Sequence, residues 1–179
     1  HPGPLSHLAG RSFSPERATP LAAAHQALGA VWMLAGQWKR PEYYAAAGLS
    51  RTQAIDAEVR AVRTGAGLID VGTLGKIEIH GPDAAEFLDR VYAGRYGTLK
   101  VGMTRYGLML DESGVIIDDG VIARLADESF YFTTTTGNSA SIYRELGRLA
   151  TQWKLKVGLV NATGHHAAFN LAGPLSRRI

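Results

Sequence analysis

Residues 106–119 read Tyr-Gly-Leu-Met-Leu-Asp-Glu-Ser-Gly-Val-Ile-Ile-Asp-Asp, and the fold is decided there. Two apolar runs flank Asp111-Glu112-Ser113-Gly114, a tight-turn composition: Asp and Ser bond to nearby main chain, and Gly adopts positive φ at no steric cost. The pattern predicts a hairpin, with one strand over 105–110 and a returning strand over 115–125. Successive side chains of a strand point to opposite faces. Val115, Ile117, Asp119 and Val121 therefore share one face, and Ile116, Asp118, Gly120 and Ile122 share the other. One carboxylate interrupts each otherwise apolar face. A half-buried carboxylate needs a cation, a cluster of N–H donors or a ligand amine opposite it. Asp118 and Asp119 are thus the candidate functional acids, and a structural salt bridge or turn cap is the competing reading.

Outward from the hairpin, residues 126–129 turn into a strand over 130–136. Its Thr133–Thr136 run reads either as an edge strand or as a row of hydroxyls lining a cleft. Ile142, Tyr143, Leu146, Leu149, Ala150 and Trp153 then fall at helical spacing over 138–153. On the N-terminal side, Gly81-Pro82-Asp83 starts a helix whose stripe is Phe87, Leu88, Val91 and Tyr92. Strands are expected over 68–71 and 75–80, the second setting Ile77 and Ile79 against Lys76, Glu78 and His80, and again over 156–161 and 167–171. This order predicts an α+β domain in which residues 75–172 build one largely antiparallel sheet with the helices on one face. Ser50 is a credible N-cap for a helix over 52–64 carrying Ile55, Val59 and Val62, with Gly65 just beyond. Residues 1–48 read as an irregular arm: four of the seven prolines lie in the first 20 residues, an Ala-rich stretch over 21–34 suggests a short helix or turn, and Gln37–Tyr44 is too aromatic for a linker. The expected division is 1–48 and 49–179.

A chain of 179 residues with 46 % hydrophobic and 20 % charged residues can bury a core. A net charge of +3 is too mild to argue for nucleic acid. The absence of cysteine excludes disulfides, thiolate zinc and a cysteine nucleophile, and it allows a reducing cytoplasm. Apolar runs fall well short of the roughly 18 residues that a membrane span needs, so the expectation is a soluble cytoplasmic protein. Gly65-Ala66-Gly67 lacks the third glycine and the preceding strand of a dinucleotide fingerprint and reads as a turn. His165-His166 would point to opposite faces of a strand with no third ligand nearby, which disfavours a metal.

Five ordered blocks go further: Asp70-Val71-Gly72-Thr73-Leu74-Gly75-Lys76-Ile77, Gly81-Pro82-Asp83-Ala84, Tyr106-Gly107-Leu108-Met109-Leu110, residues 114–119, and Ala172-Gly173-Pro174-Leu175-Ser176-Arg177. Together they resemble the folate-binding domain of the glycine-cleavage T-protein (aminomethyltransferase) family. Within it, residues 36–44, Thr73-Leu74-Gly75-Lys76, Arg105–Leu110 and the threonine run resemble the C-terminal half of the α subunit of heterotetrameric sarcosine oxidase. The resemblance implies a domain that takes the one-carbon unit released by oxidation of sarcosine and passes it to tetrahydrofolate, giving 5,10-methylenetetrahydrofolate. It implies that Asp119 contacts the reactive amine region of the folate, with Asp118 as the fallback. Tyr106 would flank the folate, Leu74 would lie under its ring system, and Thr135 falls where glycine-cleavage proteins carry a folate-binding asparagine. FAD, FMN and NAD are expected elsewhere in the complex, and the partners are its other subunits or the rest of the α chain. The family fold needs a second half beyond residue 179, so this looks like a fragment that is inactive alone. The alternatives are a non-catalytic folate-binding or assembly module and a stand-alone aminomethyltransferase or related demethylase.

Overall fold

The computed structural model describes residues 16–179, which divide into two compact units: residues 16–66 with 173–179, and residues 67–172. The irregular reading of residues 1–15 lies outside the described residues.

In the first unit, β1 (Arg17–Ala18) runs parallel to β3 (Trp38–Tyr44), which pairs on its other side with antiparallel β2 (Ala30–Ala35). Residues 16–48 are therefore not irregular. The Ala-rich segment is helical only as α1 (Ala22–Ala27), because Gly29 at φ 79° turns the chain into β2 and the β-branched and aromatic Val31 and Trp32 then favour a strand. Pro41 has no N–H to give the ladder, and the register slips between Val31 and Trp32 where it pairs. Helix α2 (Arg51–Thr64) begins at a full capping box: Ser50 Oγ accepts from Gln53 N, and the Gln53 side chain accepts from Ser50 N. Glu58 on α2 accepts from Tyr44 N at 2.7 Å, joining the helix to β3. Gly173, at φ 109°, lies so close to the carbonyls of Val62 and Gly65 that a Cβ would meet them at 2.5 and 2.4 Å. A 3-10 turn follows over Ser176–Arg178.

In the second unit, β4 (Gly67–Asp70) leads to β5 (Gly75–His80), α3 (Ala84–Val91), β6 (Thr104–Leu110), β7 (Ile116–Ala126), β8 (Ser129–Thr134), α4 (Ser139–Trp153), β9 (Gly158–Asn161) and β10 (Phe169–Ala172). Five of the strands form an antiparallel sheet in the order β6-β7-β8-β5-β9. The hairpin turn forms as read: Asp111 Oδ1 accepts from the main chain of Ser113 and Val115 at 2.9 Å each, and Gly114 sits at φ 83°. Alternate residues Ile77, Ile79, Ile122, Phe130 and Phe132 are fully buried and share one core with Phe87, Leu88 and Val91 of α3 and Ile142 and Leu146 of α4. Both helices thus cover the same face. Asp83 precedes α3 but does not cap it; its carboxylate accepts from Lys156 N at 2.7 Å and ties the helix start to the chain entering β9.

Two expectations fail in this unit. The last strand does not join the main sheet: β10 pairs along its whole length with β4, Phe169–Ala172 against Asp70–Gly67, in a separate antiparallel two-stranded ladder. Lys76, set by alternation on the solvent side with Glu78 and His80, is completely buried. Among the described residues, no helix is long and apolar enough to cross a membrane.

Candidate functional site

The two adjacent acids of β7 occupy different environments. Asp119 stands on the face of the sheet that the helices leave bare, where Tyr106 is 59 % and Val121 42 % exposed. The Tyr106 hydroxyl donates to Asp119 Oδ2. The two residues lie diagonally across the β6–β7 ladder, since Tyr106 pairs with Val121 and Leu108 with Asp119. Donating its proton in a hydrogen bond to a carboxylate holds the Tyr106 hydroxyl above its ordinary pKa of 10.0, with some desolvation adding to the effect.

Asp118 points the other way and is 3 % exposed. Its carboxylate accepts from Thr135 Oγ1 at 2.6 Å, from Thr135 N at 3.3 Å and from Asn138 Nδ2 at 3.4 Å. Asn138 Nδ2 also reaches Ile117 O at 3.1 Å, so the acid fastens β7 to the start of α4. The buried Tyr92 hydroxyl has no hydrogen-bond partner among the described residues; burial first, and then the nearby charge of Asp118, push its pKa upward.

The threonine run explains itself here. Strand β8 is central, flanked by β7 and β5, so it is not an edge. The pairing of β7 with β8 reaches Ile122–Phe132 and goes no further toward Asp118. Beyond that point side chains take over the main-chain bonds. Thr133 Oγ1 accepts from Val121 N at 3.0 Å, Asp118 accepts from Thr135 N, and Thr136 Oγ1 meets Thr73 Oγ1 at 3.1 Å. Gly120 sits against this gap: a Cβ there would fall 1.8 Å from Thr133 O, so no side chain fits.

Of the residues singled out, the structure brings Asp119 and Tyr106 together. Asp118 and Thr135 form a separate pair, with the Thr135 hydroxyl given to Asp118. Leu74 is half-buried in the turn before β5, and its carbonyl accepts from Lys76 Nζ at 3.1 Å. Sequence reasoning missed Lys76, whose Thr-Leu-Gly-Lys motif marked the resemblance but carried no sign of burial. Glu78 lies between His80 Nε2 at 3.2 Å and His166 Nε2 at 3.3 Å, and both contacts draw its pKa below 4.5.

Residues 21–179 match the family described as the GCVT N-terminal domain. The chain belongs to that family. This GCVT domain is 45 % identical over 184 residues to the sarcosine oxidase subunit alpha of Corynebacterium sp. (strain U-96), covering 99 % of this chain and 19 % of that protein. It is 34 % identical over 164 residues to the aminomethyltransferase of Corynebacterium aurimucosum, covering 90 % of this chain and 41 % of that protein. In structure it matches the glycine cleavage system aminomethyltransferase T from Bartonella henselae with a TM-score of 0.80 at 26 % identity, over 90 % of this chain and 42 % of that one. The GCVT domain therefore spans about a fifth of the sarcosine oxidase subunit and about two fifths of the aminomethyltransferases. The α+β fold and the twofold resemblance to T-protein and to sarcosine oxidase alpha both stand.

Proposed function

We propose that this GCVT domain performs tetrahydrofolate-dependent one-carbon transfer in a sarcosine oxidase-like enzyme, taking up the unit released from the oxidised amine. The observation that carries the reading is Asp119, held by the Tyr106 hydroxyl beside Leu108 and the exposed Val121 on the sheet face opposite α3 and α4. The higher identity to the sarcosine oxidase subunit than to the aminomethyltransferase favours the former relationship.

The residues present fit a flat heteroaromatic ligand with N–H groups. Tyr106 offers a ring face for stacking, Val121 and Leu108 offer apolar walls, and Asp119 is the acceptor among them. Bound there, tetrahydrofolate supplies the nitrogen nucleophile. Asp119 orients that N–H and receives its proton as the nitrogen bonds to the electrophilic carbon, a general-base role. The Tyr106 hydroxyl holds the carboxylate in place for this, and the apolar neighbours keep water from competing for the carbon. Thr135 contributes indirectly, through Asp118. Oxidation of the amine, with its FAD, FMN and NAD, belongs to other parts of a multi-subunit, cytoplasmic complex.

The test is the fate of the carbon in the complete protein. With sarcosine and tetrahydrofolate together, 5,10-methylenetetrahydrofolate is expected to form at the expense of free formaldehyde. Formaldehyde released in the same yield with and without tetrahydrofolate would refute the reading.

A further inference from the structure

Lys76 has no part in the chemistry above, yet it is the hub of a buried polar cluster. Three chain segments meet at the end of the sheet where Asp118 bonds to Thr135: the turn 71–74, the link 135–138 and the stretch 162–166. Lys76 Nζ donates to Gly72 O at 2.7 Å, Leu74 O at 3.1 Å and Thr163 O at 3.4 Å. Its main chain repeats the link: Thr163 Oγ1 accepts from Lys76 N at 3.1 Å, and Lys76 O accepts from Ala162 N at 2.9 Å. Hydroxyls close the ring, Thr73 on Thr136 at 3.1 Å and Ser139 on Thr163 at 3.4 Å.

A completely buried ammonium is expensive unless every N–H is met. Here the three N–H donors meet three carbonyls, two from one segment and one from another. An unbranched apolar side chain would fill the same space without the desolvation, so what the ammonium adds is a cross-link between the turn that holds Leu74 and the stretch after β9. Burial lowers the Lys76 pKa, and Asp70 pulls it back up.

We propose that Lys76 is a positioning residue for ligand binding: its ammonium clamps the turn 72–74 to Thr163 and so fixes the turn that carries Leu74, the residue that the family resemblance puts under the folate ring. This rests on the folate reading given above. In the complete protein, Lys76→Met is expected to raise the KM for tetrahydrofolate about 10- to 100-fold, the scale of a misplaced binding group, while kcat for methylene transfer changes less than about threefold. Lys76→Arg, which keeps charge and donors, should recover part of the KM. An unchanged KM in Lys76→Met, or a loss confined to kcat, overturns the proposal. If Lys76→Met does not fold, amide hydrogen exchange of the wild-type protein decides. Tetrahydrofolate is expected to slow exchange at residues 72–74 and 162–166 together, and protection of one segment without the other overturns the clamp. A wild-type protein with no response to tetrahydrofolate in either measurement removes the folate reading and the clamp with it. A wild-type response retained in full by Lys76→Met removes the clamp alone.

Discussion

Val121 and Ile122 are neighbours in β7, yet Ile122 is fully buried in the core shared with α3 and α4 while Val121 is 42 % exposed on the other side of the same sheet. The acids just before them divide the same way. Asp118, on the covered face, has its oxygens met by donors from Thr135 and Asn138, because a buried carboxylate without donors would not be tolerated. Asp119, on the bare face, meets the Tyr106 hydroxyl and keeps the rest of its capacity for whatever approaches. One face of the sheet is built for stability, and at its β6–β7 end the other sets Asp119 among Tyr106, Leu108 and Val121, with Glu78 and His80 farther along on β5. Stability and proposed chemistry are thus separated by one residue step.

The strongest way to break this comparison is Asp119→Asn in the complete protein. Formation of 5,10-methylenetetrahydrofolate per amine oxidised is expected to fall by about 10² to 10⁴, the range for losing a general base, with little change in melting temperature. A loss of stability with an unaltered product ratio would return Asp119 to a structural role. Next comes the adjacent pair. Ile122→Ala should destabilise by about 2–5 kcal/mol through lost burial and a cavity, and Val121→Ala by less than about 0.5 kcal/mol. Denaturant titration of both variants checks it, and similar midpoints would mean that the bare face is covered in solution.

Asp118→Asn should cost about 1–3 kcal/mol, since an amide N–H placed against the Thr135 donors leaves buried groups unmet. Its effect on the methylene product should be far below that of Asp119→Asn, and half-reaction rates for the two variants sharpen the assignment. The smallest effect concerns the bare face at Glu78. His80 and His166 hold its folded pKa below the usual 4.5. The folded state then binds its proton less readily than the unfolded chain, so the contribution is present above pH 4.5 and is lost as pH falls through the folded value. Glu78→Gln should flatten the acid limb of stability slightly below pH 4.5, as read by thermal melts at stepped pH.

Much of this was legible in residue order. Period-two alternation separates Asp118 from Asp119, and the Asp-Glu-Ser-Gly tetrad makes a turn wherever it sits. Phe87, Leu88 and Val91 lie on one side of α3 by helical spacing and are buried; Tyr92, read as the fourth of that stripe, is buried too but follows the helix in extended backbone that bridges to Met109. Ser50 caps α2 through atoms three residues away. The Ala-rich stretch misled because helix propensity is weak over a few residues, and the strand partner of residues 30–35 lies in the aromatic segment that follows. The threonines could be read as β-prone but not as substitutes for a broken ladder, since the gap exists only where β7 and β8 part.

The sequence by itself determined the strands of residues 67–172, most of the helix stripes, the hairpin turn and the opposite facing of the two acids, because these depend on groups within a few residues of one another; the strands of residues 17–44 it did not. Tertiary structure decided which face of the sheet the helices cover, and therefore which acid is buried. It also paired β10 with β4, gave the Thr135 hydroxyl to Asp118 and enclosed the Lys76 ammonium among carbonyls as far apart in the chain as Gly72 and Thr163. Such contacts join residues 17 to more than 80 positions apart. Alternation and spacing say which side of an element is apolar, but which distant segment will meet it is settled only when the packed state repays the entropy of closing those loops.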